Sequence, residues 1–292
     1  MNKMLFLLLL GSGLVKASPH LKNDCLPESS LQFPISTFKS VGASQEMSTD
    51  RVIQHFKKVM GPIVKKQMGK ELIVKLDWEN PKVNASATFD DEDNPVLILF
   101  GGMARHPELS EDGLLGILCH ELGHHLGGAP KKKRGRSDKL SWSSAEGQAD
   151  YYTTSKCLPL VLKEPLKSFN FDSVAKENEV QKAMSLCEGQ TTCARINLAG
   201  LSMARVFASL KYYREFPSLE VNDDFQAWET ELGHPHPQCR LDTLRAGALC
   251  SVSPLIPFDI MDPSIGACYP NRPESEATNG ERPRCWFRPT NL

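Results

Sequence analysis

The chain has 292 residues, 40% hydrophobic and 24% charged, and 34 Lys and Arg against 35 Asp and Glu leave a formal net charge of -1. That balance excludes a global electrostatic grip on nucleic acid. After the first residues no stretch approaches the roughly 18 apolar residues of a membrane-spanning helix.

The chain opens with Met1-Asn2-Lys3-Met4, an apolar run from Leu5 to Leu10 and a small-residue exit at Val15-Lys16-Ala17. This pattern predicts a cleaved signal peptide over 1–17 and a periplasmic or secreted mature protein. The run is short and broken by Gly11 and Gly13, unlike an uncleaved anchor. Losing Lys3 and Lys16 removes two cations and takes the net charge from -1 to -3. The rest of the chain suits one large domain or two small ones, and it has no internal repeat. All 9 Cys lie beyond the leader, which in an exported chain points to disulfides. The count is odd. Cys119, on one helix face with Leu115 and Leu122, is expected to be the free thiol, buried as a small hydrophobe. Cys187 and Cys193 are expected to close the short loop between them.

Residues 18–46 contain Pro19, Pro27, Pro34 and many Ser, and read as an extended arm tied down through Cys25. Val52, Ile53, Phe56, Val59, Met60, Ile63 and Val64 keep a helical period and predict a helix over 49–68, which Pro62 kinks or ends. Strands are expected over 72–76, 83–89 and 96–100, with a turn at 90–95 and Gly101-Gly102 ending the last strand.

Next comes Leu118-Cys119-His120-Glu121-Leu122-Gly123-His124-His125-Leu126-Gly127-Gly128. With about 3.6 residues per helical turn, His120 and His124 stand one above the other and can grip one Zn²⁺. Glu121 falls in the same arc, where a general base for a metal-bound water must sit. Leu114, Leu118, Leu122 and Leu126 form a stripe that buries the opposite side. Ser110 is the expected N-cap and Gly127-Gly128 the stop.

Pro130-Lys131-Lys132-Lys133-Arg134-Gly135-Arg136 reads as a solvated basic loop on the rim of the cleft, with an acidic partner as the alternative. Ser143 or Ser144 is expected to cap the following helix, in which Glu146 and Asp150 share a face. A catalytic zinc held by two His needs a third protein ligand and one open position. Glu146 is the candidate ligand, and Asp150 would hold a ligand histidine through its other ring nitrogen.

Helices are then expected over 175–184 and 194–213. His234-Pro235-His236-Pro237 makes a rigid turn into a short helix carrying Arg240. From Cys250 onward the chain is rich in Pro and reads as a wrapped, disulfide-held tail. The organisation expected is an arm over 18–46, a zinc domain over 47–250 and a tail over 251–292. The fold class expected is α+β, mainly helical, with a small sheet preceding the zinc helix.

Four segments in order resemble the HtpX-like and CAAX-prenyl-endopeptidase group of gluzincin metallopeptidases, most closely its soluble, exported bacterial branch. Asn84-Ala85-Ser86-Ala87 resembles the group's Asn-Ala-Phe-Ala edge strand, with Ser86 in place of Phe. His120-Glu121-Leu122-Gly123-His124 is similar to its zinc motif, Glu146-Gly147-Gln148-Ala149-Asp150 to its Glu-x-x-Ala-Asp, and His234-Pro235 with Arg240 to its later His-Pro-x-x-x-x-Arg. The likeness spans roughly residues 80–245. The basic run and the cysteine-rich tail fall outside it.

The resemblance implies a zincin-like fold and a zinc endopeptidase acting on polypeptide. Zn²⁺, one per chain, would be held by His120, His124 and Glu146, with Asp150 in support and Glu121 as general base. The 84–87 strand would pair with an extended substrate. His234 or Arg240 would donate to the oxyanion, and the sequence does not choose between them. His234 has two further readings, a plug over the metal and a purely structural turn. Two other functions remain open: a catalytically silent scaffold that keeps the site, and an amidase acting on a cell-wall link.

Overall fold

A computed structural model describes residues 23–24, 27–35, 42–135, 139–163, 175–210, 215–269 and 280–289. The expected leader over 1–17 and Cys25 lie outside these residues. The helical period over 49–68 becomes α1 (Gly42–Met68), which begins inside the expected arm and carries Pro62 in its interior. Gln45 Nε2 donates to Ala104 O at 3.3 Å and anchors the early turns. Val52, Ile53, Phe56, Met60 and Val64 are buried along its inner face. Each contributes about 1.5–3 kcal/mol by leaving water.

A four-stranded sheet comes next, in the order β1-β3-β4-β2. Its strands are β1 (Asn23–Asp24), β2 (Ile73–Asp77), β3 (Ala85–Phe89) and β4 (Pro95–Phe100). β4 is central, parallel to β2 and antiparallel to β3. Val96, Leu97, Leu99 and Phe100 are buried, as a strand covered on both faces requires. Gly101 and Gly102 do end β4, but they also open a single helical turn, α2 (Gly101–Ala104).

The sheet leads into α3 (Glu111–Leu126). Ser110 caps it as expected, its Oγ accepting from the Gly113 N–H at 2.9 Å. Asp112 complements the positive helix end and takes two bonds from Arg195, at 2.6 and 2.7 Å. At the far end the Gly127 N–H closes on Gly123 O at 2.7 Å, and Gly128 leaves at φ +69, a conformation glycine adopts without cost. The leucine stripe is buried, and so is every other residue from Asp112 to Leu126. α3 is therefore a central helix packed by α1, β3, α4 and α7. Its polar side chains are thus shut away from water, where an unpaired polar atom is costly.

The basic run is solvated only in part: Lys133, Arg134 and Gly135 are exposed, but its first residues form a strand. Lys131–Lys133 is β5, antiparallel to β6 (Leu140–Ser144). Lys131 is buried along its stem and donates to Trp142 O at 2.9 Å and Ser144 Oγ at 3.3 Å. A long aliphatic chain can lie in the interior when its ammonium reaches such acceptors. α4 (Glu146–Tyr152) follows and runs on through a π-helical turn (Thr153–Cys157) into α5 (Leu158–Val161). Its N-cap is Ala145, with no side-chain bond, rather than Ser143 or Ser144. Ser143 Oγ is used on His124 Nδ1 at 3.1 Å and Ser144 Oγ on Gly128 O at 2.7 Å.

Cys119 is buried as expected but is not free, because it forms a disulfide with Cys157. The helical rod beyond α4 lies across α3 and brings Cys157 to a Cα separation of 5.6 Å, inside disulfide range. Cys187–Cys193 closes the expected loop between α6 (Glu177–Leu186) and α7 (Thr191–Ser209). The expected extension of that last helix falls partly on residues 211–214, outside those described. The final helix is α8 (Pro237–Leu249). Cys250–Cys268 and Cys239–Cys285 fasten the tail to it. The indole of Trp286 lies flat against Gly147, where a Cβ would stand 2.4 Å from the ring.

Candidate metal centre

α3 and α4 approach more closely than ordinary side chains permit. A Cβ at Gly123 would lie 2.9 Å from Ala149 O and 3.0 Å from Ala149 Cα. That contact carries Glu146, one turn before Ala149, onto the histidine face of α3. His120 Nε2 lies 3.2 Å from Glu146 Oε2, and His124 Nε2 lies 3.7 Å from Glu146 Oε1. All three side chains are fully buried, and one donor atom from each falls within 4.8 Å of the others. This group can hold a metal ion.

The surroundings fix both imidazoles with Nε2 turned inward. His120 Nδ1–H donates to Asp150 Oδ1 at 2.8 Å. His124 Nδ1–H donates to Ser144 O at 3.0 Å, and its Nε2 has no hydrogen-bond partner among the described residues. A buried, bare imidazole nitrogen is costly unless a metal or donor meets it. Burial drives the His124 pKa well below its ordinary value despite Glu146, so the ring is neutral, as a ligand must be. Burial alone would raise the Glu146 carboxyl, yet the Lys132 ammonium beside it holds it well below the usual carboxylate range. Two imidazole nitrogens and one carboxylate form a donor set that suits Zn²⁺.

Asp150 is the hub behind the ligands. Arg240 grips it from α8 with Nε on Oδ2 at 2.7 Å and Nη2 on Oδ1 at 2.8 Å. Burial opposes the charge on Asp150, but Arg240 and His120 lower its pKa. The guanidinium also lies 3.6 Å over the ring of Phe207. Arg240 is thus bound to Asp150, and its Nη2 also lies 3.9 Å from Glu146 Oε2. His234 does reach the centre, with Nε2 3.4 Å from Glu146 Oε1 and the side chain 24% exposed. Glu121 is buried on α3 beside His120.

Asn84 precedes β3, while Ala85, Ser86 and Ala87 lie within it. The β3 edge away from β4 pairs with β1, Asn23 opposite Ala87 and Asp24 opposite Ser86. The expected substrate strand is therefore flanked on both sides by this chain. Sequence reading put the basic run on the rim of the cleft but did not single out Lys132. Its Nζ lies 2.6 Å from Glu146 Oε1, making it a direct neighbour of the centre. The signal available was the basic run itself, but only the hairpin brings Lys132 to Glu146.

Comparison with family models, with characterised proteins and with solved structures finds no match for the chain.

Proposed function

We propose that the protein is an exported zinc-dependent metalloendopeptidase of the gluzincin type. The observation that carries this reading is the buried convergence of His120, His124 and Glu146, whose donor atoms lie within 4.8 Å of one another. Two imidazoles and one carboxylate leave one of zinc's four positions open, which is the composition of a catalytic rather than a structural site. The resemblance of the His120–His124, Glu146–Asp150 and His234–Arg240 segments to HtpX-like peptidases supports the same class. Four disulfides among the described residues support export to an oxidising compartment.

Bound Zn²⁺ would supply Lewis acidity and bring the pKa of a coordinated water to about 7. Glu121, next to His120 on α3, takes the proton from the attacking water and returns it to the leaving amine. Asp150 holds His120 in the tautomer that offers Nε2, and Arg240 holds Asp150. His234, whose Nε2 reaches the centre with no hydrogen-bond partner among the described residues, is assigned to the developing oxyanion.

Metal analysis of the purified protein should find about one zinc per chain. Chelation should abolish cleavage of an unfolded protein substrate, and zinc should restore it. Glu121→Gln should keep the zinc and lose about 10²–10⁴-fold in rate. A protein without zinc, or activity that survives chelation, overturns the assignment. Full zinc occupancy with no cleavage of unfolded protein would leave the zinc-holding scaffold and the amidase.

A further inference from the structure

Beyond α7 the chain builds a second feature that the metal centre does not use. Residues 215–225 run opposite the start of α8 and enclose a groove of about 680 Å³. Phe216, Val221 and Phe225 line it and are 60%, 53% and 57% exposed. Three large apolar side chains left in water around one concavity are the mark of a binding surface rather than a core. Acids share the lining. Glu215 and Asp224 are exposed and form no ion pair among the described residues, while Asp223 faces His236 at 3.5 Å. The described lining contains no Lys or Arg.

Hydrogen bonds and a disulfide tie the groove walls to α8. Gln238 on α8 accepts from the Ser218 N–H at 2.9 Å and donates to Ser218 O and Val221 O, both at 3.0 Å. Cys239, in the groove wall, is bonded to Cys285, which also lines it. A preformed wall does not have to be ordered when a ligand arrives.

The groove is also close along the chain to the metal centre. His236 lines it and caps α8, accepting from the Gln238 N–H at 3.3 Å. His234, two residues earlier across buried Pro235, reaches Glu146. Two residues of chain span at most about 7 Å.

We propose that this groove binds the substrate polypeptide through a segment mixing basic and apolar side chains, and so selects which chains reach the metal centre. Aromatic and aliphatic side chains of the segment pack on Phe216, Val221 and Phe225. Its Lys or Arg residues meet Glu215 and Asp224 at the rim. The inference rests on the peptidase reading only for the fate of the bound chain, because binding can be measured without turnover.

The test uses two short fluorescein-labelled peptides, one alternating Leu with Arg and one alternating Leu with Glu. Fluorescence anisotropy follows their binding to full-length, zinc-loaded Glu121→Gln protein, which does not consume them. The Leu-Arg peptide should bind and the Leu-Glu peptide should not. The double change Glu215→Lys with Asp224→Lys should weaken the Leu-Arg peptide at least about tenfold and raise affinity for the Leu-Glu peptide. Phe216→Ser with Phe225→Ser, which keeps the acids, should also weaken the Leu-Arg peptide. All these residues are exposed, and unchanged circular dichroism and zinc content verify the fold. Equal binding of the two peptides, or Leu-Arg binding that neither double variant moves, overturns the proposal. If the expected binding pattern holds while the zinc-loaded parent protein cleaves nothing, the peptidase reading falls and the groove stands.

Discussion

Asp150 illustrates how one buried carboxylate serves two purposes. It sits 2.8 Å from His120 Nδ1 and is clamped by Arg240 on its other side. Asp150→Asn removes the charge that both neighbours answer and leaves buried Arg240 with only the more distant Glu146 carboxylate, 3.9 Å away. The expected result is a loss of about 10–100-fold in zinc affinity, read by competition with a chelating dye. Unaltered affinity would mean that Asp150 only secures Arg240. His106 poses a separate question, outside the centre. Its Nδ1 accepts from the Glu108 N–H at 3.2 Å and its Nε2–H donates to Ser209 Oγ at 3.0 Å, an arrangement that needs the neutral ring. Burial lowers its pKa from 6.5 to about 4. Between those values the unfolded chain takes up a proton that the folded one refuses. This contribution to stability is therefore full above the unfolded value and is lost as the pH falls from 6.5 toward about 4. The slope reaches at most about 1.4 kcal/mol per pH unit. Thermal unfolding across that window should show the fall, and His106→Gln should flatten it. An identical pH profile for the variant would show that other groups control it.

The decisive contact between elements is that of α3 with α4. A methyl group at Gly123 would meet the backbone of Ala149 at 2.9 and 3.0 Å, and a backbone neighbour cannot rotate out of the way. Gly123→Ala should push the helices apart and carry Glu146 off His120 and His124. Zinc content should fall well below one per chain, and stability should drop by about 1–3 kcal/mol. Gly61→Ala in α1 is the control. Nothing lies within 4 Å of the added Cβ, so zinc should be retained and stability kept or slightly raised. If both changes behave alike, the α3–α4 approach does not set the centre. α3 was readable beforehand because its cap, its leucine stripe and the His-Glu-x-x-His spacing are all local to one helix. The β5–β6 hairpin was not, because a run of lysines looks the same in sequence whether its stems face water or protein.

In the molecule as a whole, the tail braces the helices that carry the centre. Cys285 ties it to Cys239 on α8, and Trp286 then lies against Gly147 on α4. Trp286 is fully buried beside Phe287, in a cluster that includes both cysteines. Replacing Cys239 and Cys285 together by Ser should cost about 2–5 kcal/mol, read as a lower midpoint in denaturant. An unchanged midpoint would mean that apolar packing holds the tail without the bond.

The sequence by itself determined what backbone geometry dictates over a few residues. His120 and His124 must share a face of any helix that contains them, Ser110 must cap it if it starts there, and Cys187 and Cys193 are close enough in the chain to close a small loop. Tertiary structure alone decided which distant groups meet. It set Cys157 rather than a vacancy beside Cys119, Lys132 beside Glu146, Arg240 on Asp150 and β1 along β3. The reason is that such partners are chosen by how close two buried helices can come and which faces they turn to each other. That depends on the whole packed interior, and here on a glycine in α3 whose role shows only when Ala149 lies against it.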